Sequence, residues 1–137
     1  MMSVLNLTTD EAKQLLGFAE QSAQKKGFKV SIAVVDHTTF LQAFLRMDGA
    51  PLFSAEGAYD KARTSAEGGH PTTFFEKPLN EGRFSMVKLP HTPIEGGLPI
   101  LFEQQCVGAI AIAGAPPHID SAIAQEAIDQ FFAIKGI

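Results

Sequence analysis

The sequence predicts an α+β sandwich, with helices at both ends of the chain and two β-hairpins between them packed around an antiparallel sheet. Two patterns carry this reading. Residues 29–54 read as two strands joined by a tight turn, then a short loop and the start of a helix; positions 30–35 and 40–47 alternate with a period of two and are rich in β-branched and aromatic residues, as strands are. The segments at either end of the chain instead repeat apolar residues at helical spacing. The resulting order is α-β-β-α-(irregular)-β-β-α. A length of 137 residues, with no internal repeat or linker, makes residues 1–137 one domain.

Thr8-Thr9-Asp10-Glu11 has the form of a capping box. Ala12, Leu15, Leu16, Ala19 and Ala23 then form one helical stripe, and Gly27 is placed to stop the helix. In the first strand Val30, Ile32 and Val34 share one face and Ser31, Ala33 and Val35 the other. Asp36-His37-Thr38-Thr39 supplies a turn, because Asp can hydrogen-bond its own backbone there. In the second strand Leu41, Ala43, Leu45 and Met47 alternate with Phe40, Gln42, Phe44 and Arg46. Both faces are largely apolar, which places the hairpin inside a sheet covered on both sides, or covered on one side by a partner subunit. After the turn Asp48-Gly49-Ala50-Pro51, Ser54 is positioned to cap a helix over residues 55–68, whose narrow stripe is Ala58, Ala62 and Ala66. Gly68-Gly69-His70-Pro71 ends it. Residues 72–89 are less regular: Thr72-Thr73 can cap a short turn and residues 80–87 a further helical piece, with Pro78 between them. A proline- and glycine-rich loop leads to a strand at 98–103, a turn at Gln104-Gln105 and a strand at 107–113 that is unusually small on one face. Something bulky, a helix or a ligand, must approach that face closely. The last helix spans about 120–134, burying Ile123, Ala127, Phe131 and Ile134.

Composition narrows the function classes. A net charge of −4 without a basic run argues against nucleic acid or an anionic membrane as partner. The single cysteine, Cys106, excludes an intramolecular disulfide and a Cys-based metal cluster. Met1-Met2-Ser3 opens without the basic and apolar regions of a signal peptide, and no apolar run approaches the roughly 20 residues of a membrane span. The expectation is a soluble cytoplasmic protein. Eleven Phe beside one Tyr and no Trp point to extra apolar surface, either a subunit interface or a pocket for a flat ligand; a Phe-rich core is the plainer reading.

Several residues stand out chemically. Arg46 and Asp48 interrupt the apolar alternation where the second strand ends, and the planar guanidinium suits a carboxylate ligand. They also suit pairing with each other. On the face next to the alanine stripe of this helix run Ser54, Lys61 and Ser65, with Thr64 three residues beyond Lys61. A lysine so placed either binds an anion or snorkels to water. Gly96-Gly97 can expose backbone N–H groups to an anion, though without the strand-loop-helix context of a phosphate loop. His37, His70, His91 and His118 all fall in turns or loops with no metal-ligand spacing, and any one of them is a candidate axial ligand to haem iron. Cys106 reads as a small apolar residue.

Taken together, Val34-Val35-Asp36, Phe40–Phe44, Arg46-Met47-Asp48-Gly49-Ala50, Ser54, Lys61–Thr64, Pro71-Thr72, Gly96–Ile100, Val107–Ile110, Gly114-Ala115, Asp120 and Ala124 resemble the GlcG/HbpS-like, or haem-degrading domain, family. The resemblance runs from Leu7 onward with the motifs in order. It implies a profilin-like α/β sandwich with a five-stranded antiparallel sheet, assembled as a homo-oligomer from dimer to octamer. It further implies a family containing a haem-binding sensor component, a haem- or corrinoid-associated domain, and proteins encoded beside glycolate oxidation genes. This chain departs from the family pattern in its first turn, which lacks glycine and adds His37, and in the alanines of residues 109–113. It departs again before Pro71, where no aromatic stands. The leading expectation is a small-molecule or cofactor-binding protein for haem or another tetrapyrrole. Its pocket would lie where Arg46-Asp48, the Ser54–Thr64 helix and Gly96-Gly97 converge, with Arg46 or Lys61 on the propionates. The alternatives are an enzyme acting on a small, glycolate-related carboxylate through Arg46 and Lys61 or Asp48, and a non-catalytic oligomeric accessory protein.

Overall fold

The computed structural model describes residues 1–137. Helix α1, Thr9–Lys26, starts where the capping box predicts: the Thr8 hydroxyl accepts from the Glu11 amide and the Glu11 carboxylate accepts from the Thr8 amide. It ends on Gly27 in the left-handed conformation. Strands β1 (Ser31–Asp36) and β2 (Leu41–Arg46) form the first hairpin. Helix α2 (Ser54–Gly68), helix α3 (Thr72–Asn80) and a 3-10 turn at Phe84–Lys88 follow. Strands β3 (Gly97–Phe102) and β4 (Gln105–Ala113) form the second hairpin, and α4 (Pro117–Lys135) closes the chain.

The sheet is antiparallel throughout, in the order β2-β1-β4-β3. Its two faces differ in kind. On one, Ile32, Val34, Ile100, Ile110 and Ile112 pack against Leu15 and Ala19 of α1 and Ile123, Ala127 and Phe131 of α4. On the other, Ala33, Ala109, Ala111 and Ala113 meet Ala58 and Ala62 of α2. Small residues on both partners let α2 lie close to the sheet: a Cβ on Gly57 would be 3.3 Å from that of Ala113. Of the two occupants that the small face of β4 allows, a helix or a ligand, it is a helix that lies there.

Five expectations are corrected. The sheet has four strands and not five. The chain between α2 and β3 coils into α3 and the 3-10 turn, and Pro71, Pro78, Pro90 and Pro93 have no N–H to give a ladder. The first hairpin is not covered evenly: β1 is central and wholly buried, whereas β2 is an edge strand with Leu41 46% and Phe44 38% exposed. Phe53, not Ser54, stands at the α2 N-cap. The Ser54 hydroxyl instead lies 2.8 Å from that of Ser31 and donates to the Pro51 carbonyl at 2.6 Å, tying the start of α2 to β1. Finally, the second hairpin turns one residue early, with Glu103 and Gln104 at φ 50 and 66 as a two-residue turn requires, and α4 begins at Pro117, whose absent N–H is no loss in a first helical turn. No helix is long and apolar enough to cross a membrane.

Candidate functional site

Lys61 projects from α2 between Ala58 and Ala62 and ends beside the last residues of β4. Its Nζ donates to the Ile112 carbonyl at 3.1 Å and to Asp120 Oδ2 at 3.2 Å, and the two side chains are only 6% and 1% exposed. The other Asp120 oxygen accepts from the Ala115 amide at 3.1 Å. Burial raises the Asp120 carboxyl to about 6, against the attraction of Lys61, and the nearby Glu95 charge adds to the rise. Gly96 covers the pair at φ +134, where a Cβ would stand 2.7 Å from the Ile112 oxygen and 2.8 Å from Lys61 Nζ. Gly97 follows against the α2 backbone: its Cβ would lie 2.6 Å from the Lys61 carbonyl oxygen, and its amide donates to Thr72 Oγ1 at 3.1 Å. Lys61, Gly96 and Gly97 thus converge, on a buried carboxylate and not on an open anion site. Sequence reading placed Asp120 only among the family motifs and gave it no partner. Its one local signal is that it shares the face of α4 that buries Ile123, Ala124 and Ala127, an odd place for an unpaired carboxylate.

Thr64, one turn beyond Lys61, sits 3.0 Å from the carbonyls of Asp60 and Thr92, fastening the loop before β3 to α2. This forms one wall of a cleft of about 190 Å³ that also contains Glu67, Gly68, Phe75, Leu89 and His91. His91 Nε2 lies 3.2 Å from Glu67 Oε1. A carboxylate only accepts, so that nitrogen carries the proton.

His37 is held differently. Its Nδ1 lies 2.9 Å from the Cys106 carbonyl oxygen, and its amide donates to Asn6 Oδ1 at 2.6 Å. The carbonyl has no proton to give, so Nδ1 is the donor, and the neutral ring then keeps its lone pair on Nε2, in a residue exposed on its turn. The turn closes without glycine. Its left-handed residue is Thr39, at φ 72, and the Asp36 carboxylate gathers the Thr38 amide, the Thr38 hydroxyl and the Phe40 amide. Burial alone would raise the Asp36 carboxyl; these donors outweigh it and hold it below its usual range. His70 stacks on Phe74 with centroids 4.0 Å apart, and His118 is exposed on the first turn of α4. Nowhere do three or more His, Cys, Asp or Glu side chains gather as a metal site.

Arg46 and Asp48 are exposed and form no ion pair with each other. They line a separate depression of about 300 Å³ with Glu20, Gln24, Lys29, Leu45 and Met47, which does not include Lys61. Cys106 is half-buried, and burial pushes its thiol up.

Residues 7–129 match the family described as haem degrading protein HbpS-like. Protein GlcG of Escherichia coli K12 is 34% identical over 114 residues, covering 82% of this chain and 85% of GlcG. Among solved structures, a double mutant of Streptomyces reticuli HbpS aligns with a TM-score of 0.87 at 29% identity, over 95% of this chain and 90% of that one. A PduOC–haem complex aligns with a TM-score of 0.83 at 25% identity, over 91% and 94%. With the motifs in order along a fold shared with these proteins, the chain belongs to the HbpS-like family.

Proposed function

We propose that this protein binds haem or another tetrapyrrole, with His37 as an axial ligand and a second copy of the chain completing the enclosure. The observation that carries the reading is the His37 Nδ1–Cys106 carbonyl hydrogen bond of 2.9 Å. A backbone carbonyl on one ring nitrogen is how metal-ligating histidines are oriented and made more basic, and it leaves Nε2, the nitrogen farther from the backbone, for the metal. His91 has the opposite arrangement, its Nε2 being spent on Glu67. Family membership and the haem complex of a related chain support the same class of ligand. Bound haem would supply redox or small-gas chemistry at iron; the chain's own residues orient the ligand and shield it.

The volumes support a shared site. Depressions of about 190, 230 and 300 Å³ lie at or below the lower bound of ordinary ligand pockets, too small to enclose a macrocycle in one chain. The exposed Phe40, Leu41 and Phe44 at the free edge of the sheet offer apolar surface for a second subunit. Arg46 is exposed, at the end of the hairpin away from His37, whereas Lys61 is committed to Asp120 and is not free for a propionate. That commitment also weakens the alternative of a carboxylate enzyme, which needs Arg46 and Lys61 on one substrate.

Titration of apo-protein with haemin, followed in the Soret region, tests the reading. Saturable binding at one haem per subunit or per dimer, lost in His37→Ala and kept in His91→Ala, is expected. Loss in His91→Ala alone moves the ligand to the cleft, and no saturable change in wild type removes haem from consideration.

A further inference from the structure

A second concave site lies on the α1/α4 side of the molecule. Its volume is about 230 Å³ and eight of its eleven lining residues are apolar. Buried Leu7, Ile100, Val107 and Phe131 form the floor, continuous with the main core. At its rim stands one cation. Lys135, on the last turn of α4, reaches Glu11 Oε2 at 2.9 Å and lies 5.6 Å from the Phe131 ring centroid, over the apolar floor.

The cation is positioned by the capping box. Glu11 Oε1 accepts from the Thr8 amide, which aims the other carboxylate oxygen at Lys135. Burial would raise the Glu11 carboxyl, but the hydrogen bonds from Thr8 and Lys135 hold it below its usual range, so it stays ionised and keeps hold of the ammonium. An ammonium has three N–H donors, and the Glu11 carboxylate is the one anion paired with it. An oriented cation with donors to spare, above a body of Phe, Val, Ile and Leu, complements a ligand with one anionic end and an aliphatic or aromatic remainder.

We infer that this cavity binds a small amphipathic carboxylate, its apolar part on Val107 and Phe131 and its carboxylate on Lys135. Asn6 lines the same cavity and accepts the His37 amide at 2.6 Å, so the site borders the turn assigned to the tetrapyrrole without depending on that assignment.

Octanoate, octanol and octylammonium are the probes, titrated into apo-protein and read by backbone amide NMR. Octanoate should saturate, with shifts confined to residues 5–7, 102–107 and 131–137, and should bind more tightly than octylammonium. Lys135→Gln should weaken octanoate by about two- to fivefold, the worth of an exposed ion pair, while leaving octanol unchanged. A bulky Val107→Phe substitution should weaken octanoate and octanol alike. Equal loss of octanoate and octanol in Lys135→Gln, shifts located elsewhere, or no saturation by any probe would overturn the proposal. Haemin does not enter the experiment, so its outcome is independent of the haem titration.

Discussion

Lys61 and Asp120 are 59 residues apart in the chain and meet at 3.2 Å, joining α2 on one face of the sheet to the first turn of α4, which packs on the other. Ile112 at the end of β4 and Gly96 before β3 complete the shell around them. The pair therefore closes one end of the sandwich around the sheet.

Removing one partner leaves the other charge buried alone. Lys61→Met and Asp120→Leu should each cost about 3–5 kcal/mol, while the double substitution should cost much less than their sum. Urea unfolding of the four proteins measures this. Additive single effects, or singles within about 0.5 kcal/mol of wild type, would show that the pair contributes no coupling.

The pair also sets a pH dependence. The folded Asp120 carboxyl titrates near 6 against an ordinary 3.8, so on acidification the folded chain takes up this proton before the unfolded one does. Its contribution thus favours folding fully below 3.8 and is lost as pH rises through 6. Asp36, Glu11 and Glu126 act in the opposite sense, because each is held below its usual range. Comparing wild type with Asp120→Asn isolates the first effect: the stability difference should shift in favour of wild type as pH falls from 7 to 4. A pH-independent difference, or one of opposite sign, would place the folded carboxyl near its ordinary value.

Local features of the fold were legible in the sequence because their causes are local. The Thr8–Glu11 box, the alternation of Val30 to Val35 and the small face of β4 each depend on residues a few positions apart, and each appears where its pattern lies. Arg46 and Lys61 each interrupt an apolar pattern, yet nothing local reveals that they face different surroundings. Whether β2 is an edge strand depends on which strand pairs β1 on its far side, and β4 is more than seventy residues on. The His37 hydrogen bond has the same origin: its acceptor, Cys106, is 69 residues away. The Ser54 hydroxyl shows a different limit, since a good capping residue was drawn instead to a tertiary partner, Ser31.

Gly96 offers the sharpest test of how tightly the clamp is built. Two glycines with positive φ separate backbone strain from lack of space. Gly69, at φ +70 after α2, has nothing within 4 Å of a Cβ, so Gly69→Ala meets only the left-handed conformation and should cost about 1 kcal/mol. Gly96, at φ +134, lies where side chains rarely go, and its Cβ would meet a backbone oxygen at 2.7 Å and the Lys61 ammonium at 2.8 Å. Ile112 is fixed in the β1–β4 ladder opposite Ile32, its amide donates to the Gly96 carbonyl and its oxygen accepts from Lys61, so that oxygen cannot withdraw without breaking the clamp. Gly96→Ala should therefore cost at least about 2–3 kcal/mol more than Gly69→Ala in urea unfolding. It should also weaken the coupling between Lys61 and Asp120 in a repeated double-substitution cycle. Equal costs at the two glycines would mean that the loop moves aside freely and that Gly96 does not hold the ion pair in place.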